Sequence, residues 1–152
     1  MFQKLFTTLY EALLGPAAPP SLIPTYQSGI FPGVGLGTLF GVSLGLALLF
    51  YLVLNRLLTT SFYKTSHWVV TLLVAALASA ALAWSQARWV VVEVMAASGE
   101  QLTGVEQSAY NRYVLGFLVV NALYGALFFV LWSFVLKPFS TNARTTPVRW
   151  PN

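Results

Sequence analysis

Three long apolar stretches dominate the pattern of hydrophobic and polar positions along the chain. They cover about 33–54, 68–86 and 113–136, and a polar or basic residue follows each of them closely. Stretches of roughly 20 apolar residues are typical of helices that cross a bilayer. Helical propensity continues past the second stretch to about residue 97, so we expect that helix to project from the membrane. The pattern predicts an all-α integral membrane protein with three transmembrane helices in a domain over 33–137.

The N-terminal segment, residues 1–15, has an amphipathic pattern instead. Its apolar residues recur at the spacing i, i+3, i+4, i+7, which places them on one face of a helix. They are Phe2, Leu5, Phe6, Leu9, Tyr10, Leu13 and Leu14. A signal peptide would have a uniformly apolar core, which this segment lacks. We therefore predict an N-terminal amphipathic helix that lies in the membrane interface or docks on a partner.

Two further segments have no helical periodicity. Residues 16–32 are rich in Pro, Gly and Ser, and we predict an extended connector on the surface. Pro32 is well placed to open the first membrane helix, where a missing N–H costs nothing. Residues 138–152 form a predicted polar and basic tail.

Glycine recurs at every fourth position from the connector into the first span. The series is Gly29, Gly33, Gly37, Gly41 and Gly45. On a helix these positions form a groove without side chains, and such a groove lets another helix approach closely in lipid. The second span has a similar face of small residues at Ala75, Ser79 and Ala83. We predict that the first two spans pack through these faces, although a partner subunit is an alternative occupant of the groove.

The composition agrees with a membrane protein. Hydrophobic residues make up 57% of the 152 residues and charged residues 8%, whereas soluble domains have about 25% charged residues. The absence of cysteine excludes disulfides, thiolate metal sites and thiol catalysis. The net charge of +4 comes from dispersed basic residues, so it favours membrane topology over nucleic-acid binding.

The distribution of charge predicts the orientation of the chain. With three spans, the 55–67 link and the C-terminal tail share one side, which has five basic residues and no acidic ones. These are Arg56, Lys64, Lys137, Arg144 and Arg149. The other side has three basic residues and all four glutamates. The positive-inside rule then predicts a multi-pass protein of the cell (cytoplasmic or inner) membrane, with its N-terminus outside and its C-terminus in the cytoplasm.

The three spans contain no Asp, Glu, Lys, Arg or His, the residues that mark ion paths and proton relays. The glycine-striped first helix resembles the packing helix of the ring subunits of rotary ATP synthases. Those subunits need a carboxylate in the partner helix, and the second span has none, so we reject this resemblance and with it most proton-driven transport. The chain also lacks the GxSxG, HExxH and CxxC motifs, so we predict a protein that is not an enzyme and binds no metal.

Two polar residues are candidates for a ligand or a polar contact. His67, the single histidine, has the chemistry of an axial ligand to haem or chlorophyll, but it also suits a solvated position beside Trp68. Asn121 in the third span either contacts a pigment headgroup or bonds a neighbouring helix, with Ser79 or Thr38 as expected partners. No cofactor is predicted outright, and bound lipid, chlorophyll or carotenoid stays open.

These observations leave three classes of function. The first is a non-catalytic accessory subunit of a larger membrane complex, of energy-transducing or secretion type, whose partners are other integral membrane subunits and the lipid bilayer. The second is a small pore former, since the predicted topology resembles that of class I phage holins. The third is a membrane subunit that binds a pigment or quinone.

Overall fold

The computed structural model describes residues 1–54, 65–99, 102–140 and 146. Within that part of the chain there are four helices and no strand. They are α1 (Phe2–Leu14), α2 (Pro20–Val53), α3 (Thr65–Ser98) and α4 (Gly104–Leu136). The last three are each long and apolar enough to cross a membrane. The predicted fold class is confirmed in the number and type of its helices.

Some predicted features lie outside the described residues. They include residues 55–64 of the polar link, Glu100 and most of the predicted tail over 138–152. Four of the five basic residues used to predict orientation fall in these segments. Lys137 is described, and it lies in a short 3₁₀ turn, Lys137–Phe139, that follows α4.

α1 ends where the sequence predicts. The backbone N–H of Gly15 donates to the carbonyl of Glu11 at 2.9 Å and closes the last turn. Gly15 has a φ of 73°, a conformation that glycine adopts without a Cβ penalty and that turns the chain away from the helix axis.

The predicted extended connector is wrong from Pro20 onward, because α2 begins there. Pro20 opens a 3₁₀ turn, and Pro24 lies in the next turn. Both are near the start of the helix, where backbone N–H groups have no partner within the helix, so a residue without an N–H is tolerated. Pro32 follows a wide π turn at Tyr26–Ile30, the kind of local adjustment that lets membrane helices keep a proline. The hydroxyl of Ser28 donates to the carbonyl of Pro24 at 2.7 Å and helps to satisfy it.

Wide turns recur along α2 and change its periodicity. Two more π stretches cover Gly37–Leu44 and Leu49–Val53. In an ideal α-helix, residues four positions apart differ by about 40° in their direction around the helix axis. Wider turns reduce this difference. The buried positions accordingly recur at every fourth residue with one shift, at Tyr26, Ile30, Val34, Thr38, Ser43, Ala47 and Tyr51. A period-four pattern therefore stays on one face of α2 except near the five-residue step between Thr38 and Ser43.

α3 and α4 pack along their lengths, and each is longer than a bilayer core is thick. α3 has 34 residues, a length of about 50 Å, whereas the hydrocarbon core is about 30 Å thick. Its end at Ser98 agrees with the helix predicted to continue to about residue 97. α4 begins at Gly104, well before the predicted start of the third span at Tyr113, so part of the predicted loop is helix.

A capping box explains the early start of α4. The backbone N–H of Thr103 donates to the Glu106 carboxylate at 2.9 Å, and the Glu106 N–H donates to the Thr103 hydroxyl at 3.4 Å. The two residues thus satisfy donors that a helix start leaves free. The Thr-x-x-Glu pattern is present in the sequence, but the prediction did not use it.

The core consists of two clusters, one toward each end of the bundle. The first contains α1 and the N-terminal part of α2, with Phe6, Tyr10, Tyr26, Phe31 and Phe117 among its buried side chains. The second lies toward the C-terminal end of α4 and includes Phe50, Tyr51 and Phe129.

The position of α1 corrects part of its predicted role. Phe6 and Tyr10 are 1% and 0% exposed and pack against α2 and α4, with Leu9 partly buried beside them. Docking on a membrane or partner is therefore wrong for this half of the apolar face. Of this face, Phe2, Leu5 and Leu13 are exposed, and for these three a membrane-interface contact stays a prediction.

Candidate functional site

Most of the glycine repeat of α2 lies on the outside of the helix bundle. The exposed glycine face, as we call it, consists of Gly29, Gly33, Gly41 and Gly45. A Cβ atom added to any of the four would meet no described neighbouring atom within 4 Å. Gly37 alone faces another helix, since its added Cβ would lie 2.9 Å from Cδ2 of Leu82 in α3.

The predicted pairing of the glycine repeat with the second span is wrong at these four positions. Ala75, Ser79 and Ala83 are buried, but Ala75 and Ser79 face α4. A Cβ added at Gly125 of α4 would lie 2.9 Å from the carbonyl oxygen of Ala75 and would overlap the Ser79 side chain. Gly125, a glycine outside the repeat, therefore allows α3 and α4 to approach closely.

Polar groups explain why α2 turns its glycines outward. The hydroxyl of Ser43 donates to the carbonyl of Gly125 at 3.0 Å, and Trp132 Nε1 donates to the carbonyl of Leu39 at 2.9 Å. Leu39 lies in a wide turn, where a carbonyl is more open to an outside donor. Because an unpaired polar group in apolar surroundings is costly, the face that carries these groups turns toward α4.

Asn121 of α4 is fully buried and bonds to the other three helices. Its Nδ2 donates to the carbonyl of Ser79 at 2.6 Å and to Thr38 Oγ1 at 2.9 Å. Its Oδ1 accepts from the hydroxyl of Tyr10 at 2.6 Å. The predicted contacts with Ser79 and Thr38 are confirmed, and Tyr10 is a partner that the sequence did not indicate. Since the amide is satisfied within the chain and has no exposed surface, it is not positioned to bind a pigment in this conformation.

Further hydrogen bonds fix α1 against the spans. Tyr124 donates to the carbonyl of Leu9 at 2.7 Å, and Tyr113 donates to the carbonyl of Gly15 at 3.3 Å. On the other side of α1, Gln27 Nε2 donates to Glu11 at 2.6 Å. α1 is therefore held by α2 and α4 along its C-terminal half.

Aromatic rings enclose Tyr10. Its ring stacks on Phe31 at a centroid distance of 5.1 Å, and Phe117 and Tyr124 meet it edge-on at 5.1 and 5.3 Å. Burial raises the pKa of Tyr10, and the nearby Tyr124 adds to this effect, so the phenol stays neutral and donates to Asn121. The apolar periodicity of α1 identified Tyr10 as part of an apolar face, but periodicity carries no information on which surface that face contacts.

His67 lies in the first turn of α3, far from the Asn121 centre. It is partly buried, and its backbone carbonyl accepts from the Thr71 hydroxyl at 2.8 Å. The neighbouring Trp68 donates from Nε1 to Ser133 Oγ at 3.1 Å and joins α3 to α4. Among the described residues no three His, Cys, Asp or Glu side chains form a group that could hold a metal ion. A role for His67 as an axial ligand stays a prediction.

The structure thus provides two candidate functional features. One is the buried centre at Asn121, where all four helices meet, and the other is the exposed glycine face of α2. The buried centre has no free surface, so the glycine face is the feature that is available to a partner. No family model matches the chain, and neither a curated protein nor a solved structure matches it.

Proposed function

We propose that the protein is a non-catalytic accessory subunit of a larger membrane complex, of energy-transducing or secretion type. In this proposal a helix of a neighbouring integral membrane subunit packs on the exposed glycine face of α2. The observation that supports it most is the open space above Gly29, Gly33, Gly41 and Gly45. In lipid, close approach over glycine favours association through dispersion and shape.

The outer face of α4 provides an internal comparison. It has the same period of four, but each position is a large apolar residue that is at least 46% exposed: Leu115, Val119, Leu123, Leu127 and Leu131. Such a face suits contact with mobile lipid chains. α2 instead presents a row without side chains at equivalent spacing, which a neighbouring helix fits better than lipid does.

The location and orientation belong to the same proposal. We place the protein in the cytoplasmic or inner membrane with its N-terminus outside, on the strength of the charge distribution. The accessory role accounts for a chain whose predicted spans carry no charged residue and whose buried Asn121 amide is hydrogen-bonded within the chain.

A pair of leucine substitutions tests the role of the glycine face. Gly41→Leu combined with Gly45→Leu should fill the face and release the protein from its complex, because a Cβ atom added at either position meets no described atom within 4 Å and the new side chains point toward the partner. The measurement is native electrophoresis and mass spectrometry of the protein gently solubilised from its own membranes. Ala81→Leu is the matched control, since Ala81 is an exposed small residue on α3.

The expected result is loss of the larger assembly in the double variant alone, with unchanged helix content. Unchanged assembly would contradict the proposal. A wild-type protein that forms only a colourless homo-oligomer would favour a pore former, and visible absorption bands would favour a pigment-binding subunit.

A further inference from the structure

A groove lies where the C-terminal end of α1 meets the N-terminal half of α4. Its volume is about 760 Å³, and its lining is mostly apolar. Leu13 and Leu14 of α1 form one wall, and Val105, Ala109 and Gly116 of α4 form the other. The floor is narrow at Gly116, where an added Cβ would lie 3.1 Å from Cδ2 of Leu14. A slender apolar chain is the shape that this groove accommodates.

Arg112 is the one charged residue that lines the groove. Its side chain is exposed and makes no hydrogen bond or ion pair within the described part of the chain. The groove therefore combines an apolar floor with a single guanidinium, which binds phosphate through parallel N–H donors. The lining contains no carboxylate that could pair with the cationic part of a zwitterionic headgroup.

The position of Arg112 relative to the predicted membrane span is given by its neighbours on α4. Val105 is 82% exposed and Leu115 is 65% exposed, and they lie on either side of Arg112 along the helix. Their ten-residue separation corresponds to about 15 Å. The apolar stretch predicted to cross the bilayer begins at Tyr113, next to Arg112. A span that begins at Tyr113, as predicted, puts Arg112 at the level of the lipid headgroups, with apolar surface below it for an acyl chain.

We propose that this groove binds one anionic phospholipid, whose phosphate pairs with Arg112 and whose acyl chain lies along Leu14 and Gly116. The lipid fills the space between α1 and α4 and stabilises the docking of α1. This inference does not depend on the glycine face, which lies on α2, so the two proposals stand or fall separately.

Native mass spectrometry of the delipidated, detergent-solubilised full chain tests the site. The probes are phosphatidylglycerol and phosphatidylcholine with identical oleoyl chains. We expect one phosphatidylglycerol per chain, bound about tenfold more tightly than phosphatidylcholine. Arg112→Gln should weaken phosphatidylglycerol binding by about tenfold, the order that loss of a charge-assisted hydrogen bond brings.

Arg88→Gln is the matched control for charge. Arg88 lies on α3 at the same level, because Tyr110 donates to the carbonyl of Ala87 at 3.1 Å. Its guanidinium already lies 5.8 Å from the centre of the Trp84 ring. This variant should bind phosphatidylglycerol as the unmodified protein does. An equal loss in both variants would show general attraction between charges and would overturn the proposal, as would equal binding of the two lipids.

A second variant separates a lipid from free phosphate. Ala109→Phe fills the groove and keeps the charge, so it should weaken phosphatidylglycerol binding at least as much as Arg112→Gln does. Inorganic phosphate in excess should not displace the lipid. If Ala109→Phe has no effect and phosphate competes, the site binds a soluble anion, and the lipid proposal is wrong. Circular dichroism melting curves confirm that each variant is folded.

Discussion

At the scale of single residues, the four helices are joined through the side-chain amide of Asn121. The two N–H groups of the amide donate to α2 and α3, and its oxygen accepts from α1, at distances of 2.6 to 2.9 Å. An asparagine in an apolar span predicts a polar partner on another helix, and the contacts with Thr38 and Ser79 follow from that rule. The contact with Tyr10 does not, since nothing in the sequence places α1 against the spans.

Asn121→Leu should therefore destabilise the protein. The change keeps the approximate size of the side chain and leaves Tyr10 and the Ser79 carbonyl without their partner, at a cost of about 1–2 kcal/mol. The measurement is the free energy of unfolding in detergent micelles. Asn111→Leu is the control, because Asn111 is exposed on the same helix. Equal stability of the two variants would show that the buried centre contributes little.

At the scale of helices, the sequence predicts their existence better than their ends. The apolar stretches locate the three spans because each is longer than any ordinary buried helix segment. The start of α4 was missed although Thr103 and Glu106 form a capping box. The start of α2 was missed for a different reason. Prolines normally break helices, and Pro32 is accommodated by a π turn that depends on the packing of the chain around it.

The glycine repeat of α2 is also predicted only in part by the sequence. It predicts a glycine face, and that face exists, but it does not indicate which way the face points. That direction is decided by Thr38, Ser43 and Leu39, whose polar groups find partners on α4. Hydrogen bonds between helices thus set the rotation of α2 about its axis. Most of the glycine repeat then lies on the face of α2 that points away from these bonds.

The docking of α1 gives a prediction at this scale. A Cβ added at Gly35 would overlap the ring of Phe6, which is 1% exposed and has no room to move away, whereas a Cβ added at Gly33 meets open space. Gly35→Ala should displace α1, and Gly33→Ala should not. Hydrogen exchange of peptides from residues 1–15 should become about tenfold faster in the first variant, equivalent to about 1.4 kcal/mol of lost docking energy. Unchanged exchange would place the packing of Phe6 in doubt.

At the scale of the whole molecule, the two ends of the bundle differ. α3 is about 50 Å long, more than the hydrocarbon core of about 30 Å, and α1 and the first core cluster lie at one end of the bundle. That end has an aromatic core and the charged residues Lys4, Glu11, Arg88, Glu93, Glu106 and Arg112. The prediction that the three spans cross the bilayer places this end on one side of the membrane, with the proposed lipid groove at its edge.

The orientation of that surface is testable because the chain has no cysteine of its own. Gln107 and Ser66 are exposed near opposite ends of the bundle, at the start of α4 and the start of α3. A membrane-impermeant maleimide applied to sealed right-side-out vesicles should label Gln107→Cys at once and Ser66→Cys only after permeabilisation. The physical reason is that loops rich in Lys and Arg stay in the cytoplasm, and these residues concentrate on the side of Ser66. The reverse pattern of labelling would place the aromatic end, α1 and the Arg112 groove in the cytoplasmic leaflet. Anionic lipid is most abundant in that leaflet, so the lipid site would survive such a result while the predicted orientation would not.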